Sequence, residues 1–503
     1  MSTSSKKSSK ILKAHMTKIT KSEKRKKKLK AKLKASRHSL HEANKLANQS
    51  KNIFTYGKNL TRRQFDAYCY CRQPMVRFLA DEVEWHSFFD NKLLGTVIRD
   101  VTDNDYGYIL LGRDTRRLFR CIEVGTEFYS TPKEAREALS NKIYNNYLGK
   151  VQDIYPQYDE VDAGFELFKD KIPKEEQHNG YLILKDEPRY EAARNIISEI
   201  ANSFIDNDGH FEREFQSVNF QARLWELYLH VYIHNAGLLV ENNHPAPDFE
   251  VSYFGKKVFI EAVTVNPSEN INRPDLPPPQ TYDEIEERLN DYMPIKFGSP
   301  LYSKLKKRYW EKEHVAGHPL VLAIHDYHNE NAMTWSRTAL SEYLYGMRNR
   351  IVDGKPNSHK IKTHRWNGKE IPSGFFYQEQ AENISAVMFS NQATIPKFNR
   401  MGKIAGLGSA NVKMIRNGFL YNPDPEATHP IPFSKDVDDQ DYEESWSDGL
   451  IMYHNPNAIH PVDPDIFPDI SHIFYSDEEG FYGYHQPYDV LGSITVVIDK
   501  IRP

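Results

Sequence analysis

Two acidic residues stand thirteen positions apart in a segment whose other residues favour buried strands. Asp248 opens an alternating segment, and Glu261 lies inside an apolar, β-branched run. A carboxylate within a central strand is costly unless it is paired or binds a metal. If the two segments form antiparallel strands joined by a tight turn, both carboxylates come within reach of one divalent cation. Mg²⁺ prefers oxygen ligands, and it could activate a water and neutralise charge developing on a phosphate.

The elements that must position these acids are predicted from the hydropathy of residues 215–326. In chain order they are a helix that is apolar almost all round (217–235), strands at 237–240, 248–253 and 257–265, a charged helix from a capping box at 281–284, a basic helix around 301–310, and a buried strand at 319–324. The order is therefore α-β-β-β-α-β, which places the two acids on neighbouring strands and Glu226 on the first helix.

This order, with Pro247-Asp248 and Glu261-Ala262-Val263, resembles the PD-(D/E)XK nuclease superfamily over roughly 110 of the 503 residues. The resemblance implies a restriction-endonuclease-like core. It implies that Asp248 and Glu261 bind Mg²⁺ or Mn²⁺ with help from the carbonyl of Ala262, and that Glu226 is a second-metal or water-orienting acid. The segments 260–267 and 399–402 also resemble an uncharacterised bacterial protein family.

The family pattern has a lysine where this chain has Val263. In the family that lysine positions or deprotonates the attacking water and steadies the charge of the transition state. Lys304, Lys307 and Lys257 could supply an amine from another place, and Lys304 is favoured. If no amine reaches the carboxylates, the site would bind nucleic acid without cutting it.

Each acid also has a structural interpretation that the sequence leaves open. Glu226 could form a surface ion pair, with Arg223 three residues earlier and His230 four residues later. Asp248 could simply begin a strand after a proline. Glu261 could be partly buried and paired with Lys257 or with a basic residue of a helix.

The charge of the chain is strongly asymmetric. Residues 1–51 contain 15 Lys and two Arg against two Glu, a net charge of +15, so the remainder carries −18 of the total of −3. The run around Lys26, Lys27 and Lys28 lacks the apolar segment of a signal peptide and predicts a disordered or helical basic arm. Such an arm could bind nucleic-acid phosphates by counterion release, or serve as a solubilising tail, an address or a ligand for an acidic patch.

A second basic group lies on the predicted second core helix. Lys307 and Arg308 could contact phosphates beside the carboxylates. A solvated helix face explains the same charges equally well.

The hydropathy and the cysteine content of the chain limit the classes of protein to which it can belong. No apolar run approaches the ~18 residues of a transmembrane helix, so no membrane partner is expected. Three cysteines exclude a disulfide framework and favour a reducing, cytoplasmic location.

The fold class predicted is α+β or α/β. The predicted regions are a basic arm (1–55), a small α+β module with a β-meander after an amphipathic segment at 63–85 (56–150), a linker region (151–200), the nuclease-like core with insertions (201–430), and an acidic, Pro- and Tyr-rich C-terminal region whose residues 436–448 should form a solvated loop (431–503).

The functional prediction is a metal-dependent nuclease that hydrolyses phosphodiester bonds, with DNA favoured over RNA and defence against foreign DNA as a role implied by the resemblance alone. Two alternatives stay open: a non-catalytic nucleic-acid-binding protein on a degenerate nuclease fold, and a scaffold or interaction protein. The oligomeric state is undetermined, and a homodimer remains open.

Overall fold

A mixed β-sheet of eight strands lies at the centre of the protein. The computed structural model describes residues 57–500, apart from positions 208, 242, 269–274, 330, 353–354, 425–426, 428 and 488. From Asn59 onward the chain forms one compact unit. The predicted basic arm, including Lys26, Lys27 and Lys28, lies outside the described residues.

The α-helices of the described residues vary from five to sixteen residues in length. They are α1 (Arg62–Asp66), α2 (Pro132–Tyr147), α3 (Asn179–Asp186), α4 (Glu191–Ser203), α5 (Phe211–Gln216), α6 (Phe220–Asn235), α7 (Tyr282–Glu287), α8 (Met293–Leu305), α9 (Arg337–Tyr345) and α10 (Ile395–Ile404). A π-helical turn, Arg288–Tyr292, joins α7 to α8.

The strands are distributed over the whole of the described chain. They are β1 (Gly57–Leu60), β2 (Ala80–Phe88), β3 (Leu93–Asp100), β4 (Tyr106–Arg113), β5 (Phe119–Val124), β6 (Leu239–Glu241), β7 (Phe249–Tyr253), β8 (Lys256–Val265), β9 (Leu320–Asp326), β10 (Met347–Val352), β11 (Lys355–Lys360), β12 (Thr363–Trp366), β13 (Lys369–Pro372), β14 (Ala386–Ser390), β15 (Val412–Leu420), β16 (Ile431–Asp436), β17 (Ile451–His454), β18 (Ser471–Ser476), β19 (Gly480–Tyr484) and β20 (Val490–Asp499).

The sheets make this a mixed α+β protein. The central sheet has the order β19-β18-β17-β14-β9-β8-β7-β6, in which β8, β9 and β14 are parallel and β7 is antiparallel to β8. A five-stranded sheet runs in chain order from β1 to β5. Smaller antiparallel sheets are formed by β10-β11, by β12-β13 and by β16-β15-β20.

The central sheet is covered on both faces, which explains its nearly continuous apolar strands. Along β9, Leu320, Leu322 and Ile324 pack in the same core as α8 and α9. The alternate residues Val321 and Ala323 pack in the core that contains α4 and α6. Successive side chains of a strand point to opposite faces, so both faces of β9 must be apolar.

The predicted order of elements between residues 215 and 326 is present as α6, β6, β7, β8, α7–α8 and β9. The second core helix, however, lies earlier than the predicted 301–310. Helix α8 begins at Met293 and ends at Leu305, with Pro294 in its first turn and Pro300 inside it. Pro294 is tolerated because the missing N–H of a first-turn residue needs no partner. Pro300 does not end the helix, since Phe297 and Leu301 on either side of it pack in the core.

The N-terminal module contains the predicted meander, because β3, β4 and β5 pair antiparallel in chain order. The predicted helix start also forms, since the Thr131 hydroxyl accepts a hydrogen bond from the Glu134 amide at 3.2 Å. The amphipathic segment 63–85 is not one element. It contains the short helix α1 and the beginning of strand β2.

The region 151–200 is not an irregular linker throughout. It includes α3 and most of α4, and Ile196, Ile197 and Ile200 of α4 are buried in the core. Their spacing gives α4 an apolar stripe beneath a charged outer face. The C-terminal region is likewise part of the central architecture, because β17, β18 and β19 extend the main sheet.

The acidic segment 436–448 differs from the predicted solvated loop at Glu444, whose side chain is completely buried. Its carboxylate lies 2.8 Å from the amine of Lys397, 2.8 Å from the guanidinium of Arg400 and 3.1 Å from that of Arg416. The three cations come from α10 and β15, which the sequence places far from the acidic segment. The acidic segment therefore contributes Glu444 to a buried ionic cluster.

Among the described residues, no helix is both long enough and apolar enough to cross a membrane.

Candidate active site

A cleft of about 310 Å³ opens beside β8, between α6 and α8. Its lining combines acidic, basic and hydroxyl side chains with a few small apolar ones. The lining residues are Ala222, Arg223, Glu226, Asp248, Ala262, Val263, Thr264, Pro300, Ser303 and Lys304.

The cleft exists because β8 is longer than its neighbour β7. Strand β7 begins at Phe249, which pairs with Ile260, whereas β8 continues to Val265. Asp248 directly precedes β7, and its Oδ2 accepts a hydrogen bond from the amide of Ala262 at 2.7 Å. The end of β7 thus places one carboxylate against the main chain of β8.

Glu261 lies on β8 and is 4% exposed. Its Oε1 accepts hydrogen bonds from the hydroxyl of Tyr309, at 2.7 Å, and from the amine of Lys304. Its Oε2 is buried and has no hydrogen-bond partner among the described residues. A buried carboxylate oxygen without a donor is unfavourable, so this atom is a candidate ligand for a cation.

Glu226 reaches the cleft from α6, on the opposite side from α8. It is 8% exposed, and Nη1 of Arg223 lies 2.6 Å from its Oε2. The predicted ion pair with Arg223 therefore forms, but it is buried rather than on the surface. His230 takes no part in it, because its Nε2 lies 2.8 Å from the hydroxyl of Ser203.

The acids of the cleft influence one another electrostatically. Burial raises the pKa of Asp248 well above its ordinary value, and the negative charges of Glu261 and Glu226 raise it further, while Lys304 opposes the shift. Burial also raises the pKa of Glu226 to about 7, against the opposing effect of Arg223. Bringing a positive charge into the cleft would relieve both carboxylates.

The donor set for a metal is limited. Among the described residues, no group of three or more His, Cys, Asp or Glu side chains is arranged to hold an ion. Asp248, Glu261 and the carbonyl of Ala262 remain as oxygen donors, and the unpartnered Oε2 of Glu261 is one of them. Two carboxylates with several waters are a common way to hold Mg²⁺, so these residues could bind such an ion.

The three candidate lysines occupy different places. Lys304 lines the cleft and contacts Glu261. Lys257 instead pairs with Glu241, at 3.2 Å, and with Glu250. Lys307 and its neighbour Arg308 follow the end of α8 and are exposed, and Arg308 pairs with Glu311.

The structure thus places Glu226, Asp248 and Lys304 in the lining of one cleft, with Glu261 bonded to Lys304 beside it, and the catalytic and metal-binding roles of these four residues remain predictions. The sequence analysis missed Tyr309, which lies beyond α8 and contacts Glu261. No periodicity relates Tyr309 to that carboxylate, because the contact depends on how the chain turns after the helix.

The raised pKa of Glu226 predicts a pH-dependent stability. A rise from 4.5 to about 7 means that the folded state keeps a proton that the unfolded state loses in this interval. Stability from this group is present below pH 4.5 and is lost as the pH rises through 7. In Glu226→Gln the uncharged amide replaces the buried carboxylate. Removing the partner of Arg223 has a cost that does not depend on pH in this range, so we expect the stability of the variant relative to the wild type to rise by about 2 kcal/mol between pH 5 and pH 8.

Urea unfolding of both proteins in EDTA measures this difference. A stability difference that is the same at pH 5 and pH 8 would contradict the assigned pKa shift.

Comparisons of this chain with protein-family models, with curated proteins and with solved structures gave no match.

Proposed function

We propose that the protein is a metal-dependent nuclease that hydrolyses phosphodiester bonds of nucleic acid, with DNA favoured, on a restriction-endonuclease-like core. The observation that carries the proposal is the contact of Lys304, which lines the cleft together with Asp248, with the carboxylate of Glu261. The amine that the family motif would supply at position 263 comes instead from α8. The α-β-β-β-α-β order of residues 215–326 supports the same assignment.

In the proposed reaction, Asp248, Glu261 and the carbonyl of Ala262 hold Mg²⁺ or Mn²⁺. The ion supplies Lewis-acid stabilisation of the charge that develops on the phosphate. Lys304 positions the attacking water and stabilises the same charge. The water oxygen bonds to phosphorus as one P–O ester bond breaks; Glu226 takes a proton from the water, and the leaving oxygen is protonated from solvent.

Replacing Lys304 tests the proposed role of its amine. We expect Lys304→Met to lower the rate of DNA cleavage by about 10²–10³-fold, the usual loss when one electrostatic contact to a transition state is removed. Cleavage of a labelled duplex with Mg²⁺ or Mn²⁺, against an EDTA blank, measures the rate. The matched control is Lys312→Met, which removes an exposed lysine outside the cleft lining and should keep the wild-type rate.

A Lys304→Met enzyme with the wild-type rate would exclude this amine from the reaction. Absence of any metal-dependent cleavage by the wild type would overturn the nuclease proposal itself.

The second candidate function is nucleic-acid binding without cleavage. It is favoured by Val263, which stands where the family motif has lysine. It is also favoured by the ion pair between Lys304 and Glu261, because that pair occupies the amine that would otherwise position the attacking water. This candidate predicts salt-sensitive binding and no cleavage with either metal. Truncation of residues 1–50 distinguishes the nuclease and the binding protein from a scaffold protein. The first two should lose nucleic-acid affinity when the basic arm is removed, whereas a scaffold protein should show no affinity that depends on the arm.

We propose a cytoplasmic location, since Cys69, Cys71 and Cys121 are free thiols that a reducing compartment preserves. A role in defence against foreign DNA is part of the same proposal and rests on the family resemblance alone.

A further inference from the structure

Strand β8 presents main-chain groups to the cleft that no strand of the described residues covers. The amide of Phe259 bonds to the carbonyl of Pro319, and the carbonyl of Val265 bonds to the amide of Tyr327, so the odd-numbered residues of β8 face β9. In a strand, the N–H and C=O of alternate residues point to opposite sides. The even-numbered residues therefore face β7, as the bond from the Ala262 amide to Asp248 confirms.

Strand β7 begins opposite Ile260, so Thr264 lies beyond its reach. The N–H and C=O of Thr264 consequently point from the strand edge towards the cleft that this residue lines. Among the described residues, the Thr264 hydroxyl has no hydrogen-bond partner, and the same holds for the hydroxyl of Ser303 across the cleft. Two hydroxyl groups and the N–H and C=O of Thr264 are thus available to a ligand, and three of these four groups can donate a hydrogen bond.

The chemistry of these groups indicates an anion. The amide and the hydroxyls are hydrogen-bond donors, and the guanidinium of Arg223 and the amine of Lys304 line the same cleft. Phosphate oxygens only accept hydrogen bonds, and uncovered backbone amides are frequent ligands for them. The cleft is also lined by the carboxylates of Glu226 and Asp248, so the anion would lie beside acidic groups and close to the cation proposed to bind them.

We propose that Thr264, through its amide and hydroxyl together with the hydroxyl of Ser303, forms a subsite for a phosphate of the nucleic-acid strand. This inference rests on the proposed function and deepens it by naming the group that orients the substrate. Thr264 is then a positioning residue: it holds the phosphodiester against the carboxylates and takes no part in proton transfer.

Thr264→Val is the informative variant, because valine has the same shape and favours strands while removing only the hydroxyl. Because the variant loses one hydrogen bond to a charged group, we expect the KM for a short DNA substrate to rise about tenfold with a smaller change in kcat. Thr264→Ser restores the hydroxyl and should return KM to near the wild-type value. Binding of the same labelled DNA in EDTA, at fixed salt and with the full chain, should weaken in parallel.

The outcomes separate this subsite from the nuclease itself. Metal-dependent cleavage with an unchanged KM in Thr264→Val would overturn the subsite and leave the nuclease standing. DNA binding that depends on Thr264, without cleavage by the wild type, would support the subsite and overturn the hydrolase. Failure of serine to restore affinity would show that valine acts through the local structure, which also rejects the subsite.

Discussion

Asp248→Asn should abolish metal-dependent DNA cleavage, by about 10³-fold or more, while the protein stays folded. Asparagine keeps an oxygen that can accept the hydrogen bond from the Ala262 amide, but it removes the negative charge that a divalent cation requires. Loss of metal-assisted stabilisation is worth several kcal/mol, and each 1.36 kcal/mol is a factor of ten in rate. Because burial and neighbouring carboxylates disfavour the charged form of Asp248, we expect no loss of stability. Glu261→Gln should lose cleavage to a similar extent.

Glu250→Gln is the matched control, since Glu250 lies on β7, two residues after Asp248, and outside the cleft lining. Its hydrogen bonds from Lys257 and His244 lower its pKa against the effect of burial, so its charged form is favoured. The control should therefore lose stability and keep cleavage, the reverse of the Asp248 variant. Rates with Mg²⁺ and thermal midpoints measured on both variants test this contrast. Full cleavage by both Asp248→Asn and Glu261→Gln would place the active site elsewhere.

Glu444→Gln should be the most destabilising of these substitutions. The carboxylate of Glu444 is the shared partner of Lys397, Arg400 and Arg416, which are all buried with it. Removing one partner of a buried ionic cluster leaves uncompensated charge and typically costs 3–5 kcal/mol. The three cations hold the pKa of Glu444 well below its ordinary value. Its stabilisation is therefore present above pH 4.5 and is lost as the pH falls towards the lowered pKa.

Urea unfolding at pH 7 and at pH 4 measures both the size and the pH dependence of this loss. The adjacent Glu443→Gln is the control, because the Glu443 side chain is 70% exposed and lies 3.7 Å from Arg63. An exposed ion pair contributes at most about 1 kcal/mol, so this variant should remain close to the wild type. Equal losses in the two variants would show that the buried cluster does not stabilise the fold.

Local signals in the sequence were sufficient for part of the fold. The helix start at Thr131 follows from one residue's hydroxyl and its position relative to Pro132 and Glu134, and the structure contains it. The order of elements between 215 and 326 follows from the change in hydropathy period. The bounds of α8 did not follow, because Pro294 and Pro300 suggest an interruption that packing in the core overrides.

In the candidate site, too, the sequence predicts some features and the tertiary structure decides others. The sequence places Asp248 and Glu261 on adjacent strands, because a short turn and alternating residues determine how those strands pair. From the sequence alone, Lys304 was one of three lysines that could supply the amine. The contact with Glu261 depends on where α8 crosses the sheet, and the same crossing determines which lysine lines the cleft.

By itself, the sequence determined the class of the elements, the separation of the basic N-terminal residues from an acidic remainder, and the two acids on neighbouring strands. These properties depend on residues that are close in the chain. Only the tertiary structure decided that residues 179–203 and 451–484 belong to the core, that Glu444 is buried, and that β8 extends beyond β7 to leave Thr264 facing the cleft. Each of these depends on contacts between residues far apart in the chain, and no local pattern specifies such contacts.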